Sequence, residues 1–168
     1  MTNTRGFTLV ELLVAVGIIG VLASVSIVSI NSVRAKARDA KRVADVKTLQ
    51  NALETYASDN SGQYPAAEDT PQTLGSAGFT VLCNTGPGFA DTCAAGVTVY
   101  MGRVNPDPGT NSITYQGIDD SDGSQCTDAG NDCTSYKITF ILEGATGSFT
   151  KSGTDAQRTY TATPAGIE

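Results

Sequence analysis

The chain has 168 residues, 40% of them hydrophobic, with four cysteines, no histidine, no tryptophan and a net charge of −6 at pH 7. That length suits one ordinary domain, or an anchor carrying a small one. Without histidine, Ser-His-Asp and Cys-His catalysis are excluded, as is the commonest zinc and iron ligand, and the chain is not expected to be an enzyme.

The first predicted element follows a short polar leader. Its opening reads Arg5-Gly6-Phe7-Thr8-Leu9-Val10-Glu11-Leu12-Leu13-Val14, and from Leu12 to Ile30 no residue is charged. Those 19 positions make about 28 Å of helix, close to the hydrocarbon thickness of a bilayer. Glu11 stands at the mouth of this run, where a carboxylate buried at mid-membrane would cost roughly 2.5–3.5 kcal/mol. A secretory signal peptide would place its cleavage site after a shorter apolar run. A plain single-pass anchor would leave Gly6-Phe7 and Glu11 without a purpose.

Over Arg5–Leu13, and less strictly to Pro65, the sequence resembles the processing and assembly signature of type IV pilins and of type II secretion pseudopilins. The resemblance implies that a prepilin peptidase cuts after Gly6 and that the new terminal amine, on Phe7, is methylated. It implies that Glu11 serves assembly, facing the N-terminal amine of a neighbouring subunit. The leader 1–6 is then absent from the working protein. Residues 7–30 form a transmembrane and assembly helix, 31–60 its amphipathic continuation, and 61–168 an extracytoplasmic head.

Beyond Ile30 the helix is expected to continue through Arg34-Ala35-Lys36-Ala37-Arg38-Asp39-Ala40-Lys41-Arg42, which is built of good helix formers. Val43, Val46, Leu49, Leu53 and Tyr56 recur at intervals of three or four and mark an apolar stripe that can lie on a sheet. Asn60-Ser61-Gly62 and Tyr64-Pro65 end the helix, which from Phe7 to Asp59 would span about 80 Å. The basic run reads as a solvated helix face, or as a partner-choice device toward acidic heads in a filament. Many pilins carry a proline within the apolar segment. This chain has none before Gln63, so any loosening of the helix rests on Gly17, Gly20 and the Ser24, Ser26, Ser29 series.

Residues 34–59 hold six cations against four acids, a balance of +2, whereas residues 60–168 hold four against twelve, a balance of −8. So acidic a head repels polyphosphate, and no direct nucleic-acid binding is expected. Strands are predicted at Val97–Met101, Ser112–Gln116, Ser135–Glu143, Ser148–Lys151 and Arg158–Ala162. In Ser135–Glu143, Tyr136, Ile138, Phe140 and Leu142 alternate with Lys137, Thr139, Ile141 and Glu143. The fold class is α+β: a long N-terminal helix on a small antiparallel β-sheet head, pilin-like. Asn105-Pro106-Asp107-Pro108 resembles a Pro-Asp-Pro-like segment that the family often shows between helix and sheet.

Cys83, Cys93, Cys126 and Cys133 lack the C-x₂-C spacing of a zinc site, and an exported head makes disulfides the default. Of three connectivities, the sequence-local pairs Cys83–Cys93 and Cys126–Cys133 are preferred, each closing a Gly- or Asp-rich loop. Asp119, Asp120, Asp122 and Asp128 form the ligand-like cluster, a candidate Ca²⁺ loop. It is not an EF-hand: Gln125 occupies the glycine position and the twelfth position holds no glutamate. Major pseudopilins of type II secretion hold calcium in a head loop, but that motif does not align here position by position.

The expected function is a structural subunit of a type IV pilus or pseudopilus. It is a single-pass membrane protein before assembly and an extracytoplasmic or surface filament afterwards. Its expected partners are other copies of itself, the prepilin peptidase, the inner-membrane assembly platform and the membrane. The alternatives are a type II secretion major pseudopilin as opposed to a surface pilin, and a membrane-tethered binding domain that never polymerises.

Overall fold

The computed structural model describes residues 6–67, 70–85, 87–121, 123–126, 133–144, 149, 154 and 158–168, and for 25–29 the backbone alone. One helix, α1, runs Leu9–Asp59, 51 residues or about 76 Å. It starts two residues later than Phe7 because Thr8 is its N-cap, extended at φ −80° and ψ 149°. At the other end the Asn60 amide donates to the Tyr56 and Ala57 carbonyls and the Gly62 amide to Ala57 O at 2.8 Å. Gly62 closes that turn at φ +84°, where a side chain would be strained.

The head adds eight short strands among the described residues: β1 Gln72–Thr73, β2 Val81–Cys83, β3 Phe89–Ala90, β4 Val99–Met101, β5 Thr114–Ile118, β6 Ser135–Ile141, β7 Thr159–Thr163 and β8 Gly166–Ile167. They form two antiparallel sheets, ordered β1-β5-β6-β7-β8 and β3-β2-β4. β6 is central, with Ile138 opposite Tyr115 on β5 and opposite Ala162 on β7. Its Tyr136, Ile138 and Phe140 are buried while Lys137 faces water, as the period-2 pattern requires. This is the expected α+β arrangement, with a second small sheet and strands β1, β2, β3 and β8 added. The expected Ser148–Lys151 strand lies outside the described residues except for Phe149.

One core joins helix and sheets. Val46, Leu49, Leu53 and Tyr56 of α1 pack with Leu82, Phe89, Tyr115, Tyr136, Ile138 and Phe140. The chain after the helix is pinned by the Tyr115 hydroxyl donating to Pro65 O at 2.7 Å and the Tyr64 amide to Cys133 O at 2.8 Å. Disulfides join Cys83 to Cys93 and Cys126 to Cys133, with Cα separations of 5.9 and 5.6 Å. These are the two sequence-local pairs.

Among the described residues the N-terminal half of α1 packs on no part of the head. Leu9, Val10, Leu13, Ile19 and Val21 are all more than 60% exposed. Among the described residues no helix is long and apolar enough to cross a membrane. The expected span depends on side chains at 25–29, which lie outside the described residues, as does the leader 1–5.

Candidate functional site

Phe7 is 77% exposed and sits immediately ahead of the helix cap. The Thr8 hydroxyl accepts from the Glu11 amide at 3.2 Å and donates to Glu11 Oε2 at 2.9 Å. The same Oε2 accepts from the Thr8 amide at 3.1 Å. This is a capping box, which satisfies two of the four amides that the first turn leaves without partners. The carboxylate also lies at the positive end of the helix dipole. Its second oxygen, Oε1, accepts no hydrogen bond among the described residues. The arrangement therefore fixes the position of the charge and leaves half of it open to an incoming donor. The Thr8-Leu9-Val10-Glu11 spacing is itself the signal for the box, although the sequence motif singled out Gly6, Phe7 and Glu11 and not Thr8.

The apolar surface behind this cap is large. Leu9, Val10, Leu12, Leu13, Val14, Val16, Ile18, Ile19, Val21 and Leu22 are each more than half exposed, on all sides of the helix. Burying one such side chain stabilises by about 1.5–3 kcal/mol. A continuous apolar cylinder of this extent marks a surface that meets lipid or other helices.

The basic run between the two halves of α1 is not the uniformly solvated face that the sequence suggested. Arg42 and Asp39 are fully buried and paired at 2.7 Å. Arg42 Nε and Nη2 donate to the two Asp107 oxygens at 2.5 and 2.9 Å, and Nη1 lies 2.8 Å from Glu143 Oε1. Arg38 makes a two-pronged contact to Glu143. Asp39 accepts in turn from the Glu143 and Gly144 amides at 2.8 and 2.9 Å. The Arg38 hydrogen bond, aided by Arg42, draws the Glu143 carboxyl down to about 2. Hydrogen bonding to Asp107, with Glu143 and Asp39 adding to it, raises the Arg42 guanidinium above its ordinary range despite burial. The lock ties the helix to the Asn105–Pro108 segment and to the end of β6. Of the basic run, Arg34, Lys36 and Lys41 remain on the surface.

The acidic loop is described in part. Asp119 Oδ1 accepts from the Ser121 amide at 2.8 Å, and the Asp120 amide donates to Thr134 Oγ1 at 2.9 Å. Asp122 and Asp128 lie outside the described residues. Among the described residues no three acidic, cysteine or histidine side chains gather as a metal site. Asp119 and Asp120 alone do not make the ligand set that calcium requires.

Residues 1–27 match the family model described as the prokaryotic N-terminal methylation motif. The chain is 34% identical over 115 residues to type II secretion system core protein G of Vibrio cholerae, covering 68% of this chain and 72% of that protein. It is 43% identical over 77 residues to the protein of that name in Klebsiella pneumoniae, covering 46% of this chain and 54% of the relative. With the Escherichia coli K12 protein of that name it shares 41% over 70 residues, covering 42% and 48%. The chain thus spans about half the length of the Klebsiella and Escherichia relatives. No solved structure matches it.

Proposed function

The chain belongs to the family of the type II secretion system core protein G, and from that premise we propose that it is a pseudopilus subunit, polymerised through α1 after a prepilin peptidase cuts between Gly6 and Phe7. The observation that carries this reading is the capped helix N-terminus, with Glu11 Oε2 held by Thr8, Oε1 accepting no hydrogen bond among the described residues, and an apolar cylinder behind it. Before assembly the membrane holds that cylinder. Extraction by an assembly platform then exchanges lipid for neighbouring helices. Glu11 gains a neighbour's Phe7 amine as counter-charge, which offsets the cost of taking a carboxylate into an apolar filament core. Its own amine is also close by in sequence, so the capping box matters. With Oε2 engaged by Thr8, the remaining oxygen is left to accept from outside the subunit.

Mass spectrometry of the N-terminal peptide, from sheared surface material and from the envelope separately, tests this. A methylated peptide beginning at Phe7 and confined to the envelope supports a pseudopilus. The same peptide in the sheared fraction points to a surface pilus. A peptide beginning near Met1 in both contradicts polymerisation and leaves a tethered domain.

Calcium held in the acidic loop by Asp119, Asp120, Asp122 and Asp128 belongs to this proposal, supported by the density of carboxylates there. Melting in calcium and in a chelator tests it, a higher Tm with calcium being the expected result and equal values removing the ion.

A further inference from the structure

A polar cavity of about 260 Å³ opens in the head where α1 ends, far from Glu11 and separate from the ion lock. It is lined by two tyrosines, Tyr56 and Tyr64, three side-chain amides, Asn60, Gln63 and Asn84, together with Ala66 and Thr85. Among the described residues no charged side chain lines it, so phosphate, carboxylate and metal recognition find no counter-charge among them. Its size lies just under the roughly 300 Å³ at which small-molecule pockets begin, suited to a single ring with a few hydroxyls.

The walls are held in place before any ligand arrives. Tyr56 packs edge-on to Tyr100 with ring centroids 5.3 Å apart, and its ring sits so close to Gly88 that an added Cβ would lie 3.2 Å from Cε2. Tyr64 packs edge-on to Tyr136 at 4.9 Å and donates its hydroxyl to Glu54 Oε2 at 2.9 Å. The opposite wall is fixed by the Cys83–Cys93 disulfide, by Asn84 N donating to Thr98 O at 2.8 Å and by Thr85 N donating to Cys83 O at 2.9 Å. Asn60 is oriented by its Nδ2 donating to Tyr56 O at 2.8 Å. A site organised in advance loses little freedom on binding.

Three polar groups in this rigid frame have no protein partner among the described residues. Thr85 Oγ1 is buried without a hydrogen bond, and the Gln63 and Asn84 side chains make none. A buried hydroxyl left unpaired is costly, and a ligand that pairs it removes the cost. Side-chain amides donate and accept at once, which matches the hydroxyls of a sugar, and aromatic rings take up the apolar C–H surface of one.

We propose that this cavity binds one ring of a neutral saccharide, seated against Tyr56 and Tyr64 with its hydroxyls paired to Gln63, Asn84 and Thr85. This site is independent of the filament reading, because every group in it belongs to the head and to the head-packed end of α1.

The test is saturation-transfer NMR on the full chain in a zwitterionic, sugar-free detergent. Glucose, galactose, N-acetylglucosamine, maltose and lactose are the saccharide probes and trialanine is the neutral peptide control. At least one saccharide is expected to receive saturation and to titrate in the millimolar range. Replacing both surface amides, Gln63→Ala with Asn84→Ala, should weaken it by about tenfold or more, since two hydrogen-bonding groups are lost. Thr85→Val keeps the shape while removing the hydroxyl, so a several-fold weakening there supports the assignment even if the double variant folds poorly. Transfer to no saccharide overturns the proposal, as does binding unchanged in Thr85→Val or a preference for trialanine over every sugar.

Discussion

The two halves of α1 belong to one unbroken helix and differ in what surrounds their side chains. From Leu9 to Leu22 the large apolar side chains are exposed all round. From Asp39 to Ala57 one face is buried, with Val46, Leu49 and Leu53 almost wholly hidden in the head core. Backbone hydrogen bonding is the same in both, so the difference lies in what covers the side chains. The second half is stabilised by tertiary packing within the subunit. The first half packs on nothing else among the described residues. In the proposed filament its partner is lipid or another chain, and the Thr8–Glu11 box holds its first turn wound.

The comparison is broken most severely at the junction. Arg42→Ala should destabilise the head by about 3–5 kcal/mol, because Asp39 and Asp107 then stay buried without a counter-charge. Thermal melting reads the loss, and an unchanged Tm would mean that the lock contributes nothing to head stability. Next in size, Leu53→Ala should cost about 2–5 kcal/mol through the cavity it leaves. Leu13→Ala, the same chemical change in the other half, should leave head melting within about 0.5 kcal/mol of the parent. Equal losses at both positions would erase the distinction between the halves.

Acid sharpens the same contrast. The Glu143 carboxyl falls from 4.5 to about 2 in the folded head, chiefly through its hydrogen bond from Arg38. A depressed carboxyl adds stability that is complete above its unfolded value and is lost as pH falls toward the folded one. The head should therefore weaken between about pH 4.5 and about 2, the interval set by Glu143. Glu143→Gln should flatten that part of the profile. Smallest is Thr8→Ala, which removes the cap at a cost of about 1 kcal/mol to the first turn. Faster amide exchange at Leu9–Leu13 with an unchanged head Tm is the expected result.

What was legible in the sequence was periodic. The 3.6-residue stripe from Val46 to Tyr56 and the alternation along β6 each extend over enough residues for the pattern to speak. Strands β1, β3 and β8 have two residues each, too few to carry a period, and they are placed by their neighbours in the sheets. The ion lock was illegible for another reason. Asp39 and Arg42 look like an ordinary solvated i, i+3 pair, and the groups that bury them, Asp107 and Glu143, lie 65 and 104 residues away. At the helix start, Gly6, Phe7 and Glu11 stood out as a motif, yet the geometry of Glu11 depends on Thr8.

The most direct test of the polymerisation account is the share of chain recovered in assembled filaments for Glu11→Ala, with membrane-associated chain measured in parallel. The account predicts membrane insertion at the parent level and filament yield reduced to background, because the neighbour's terminal amine then has no carboxylate to meet. Parent-level filament yield from Glu11→Ala would contradict it.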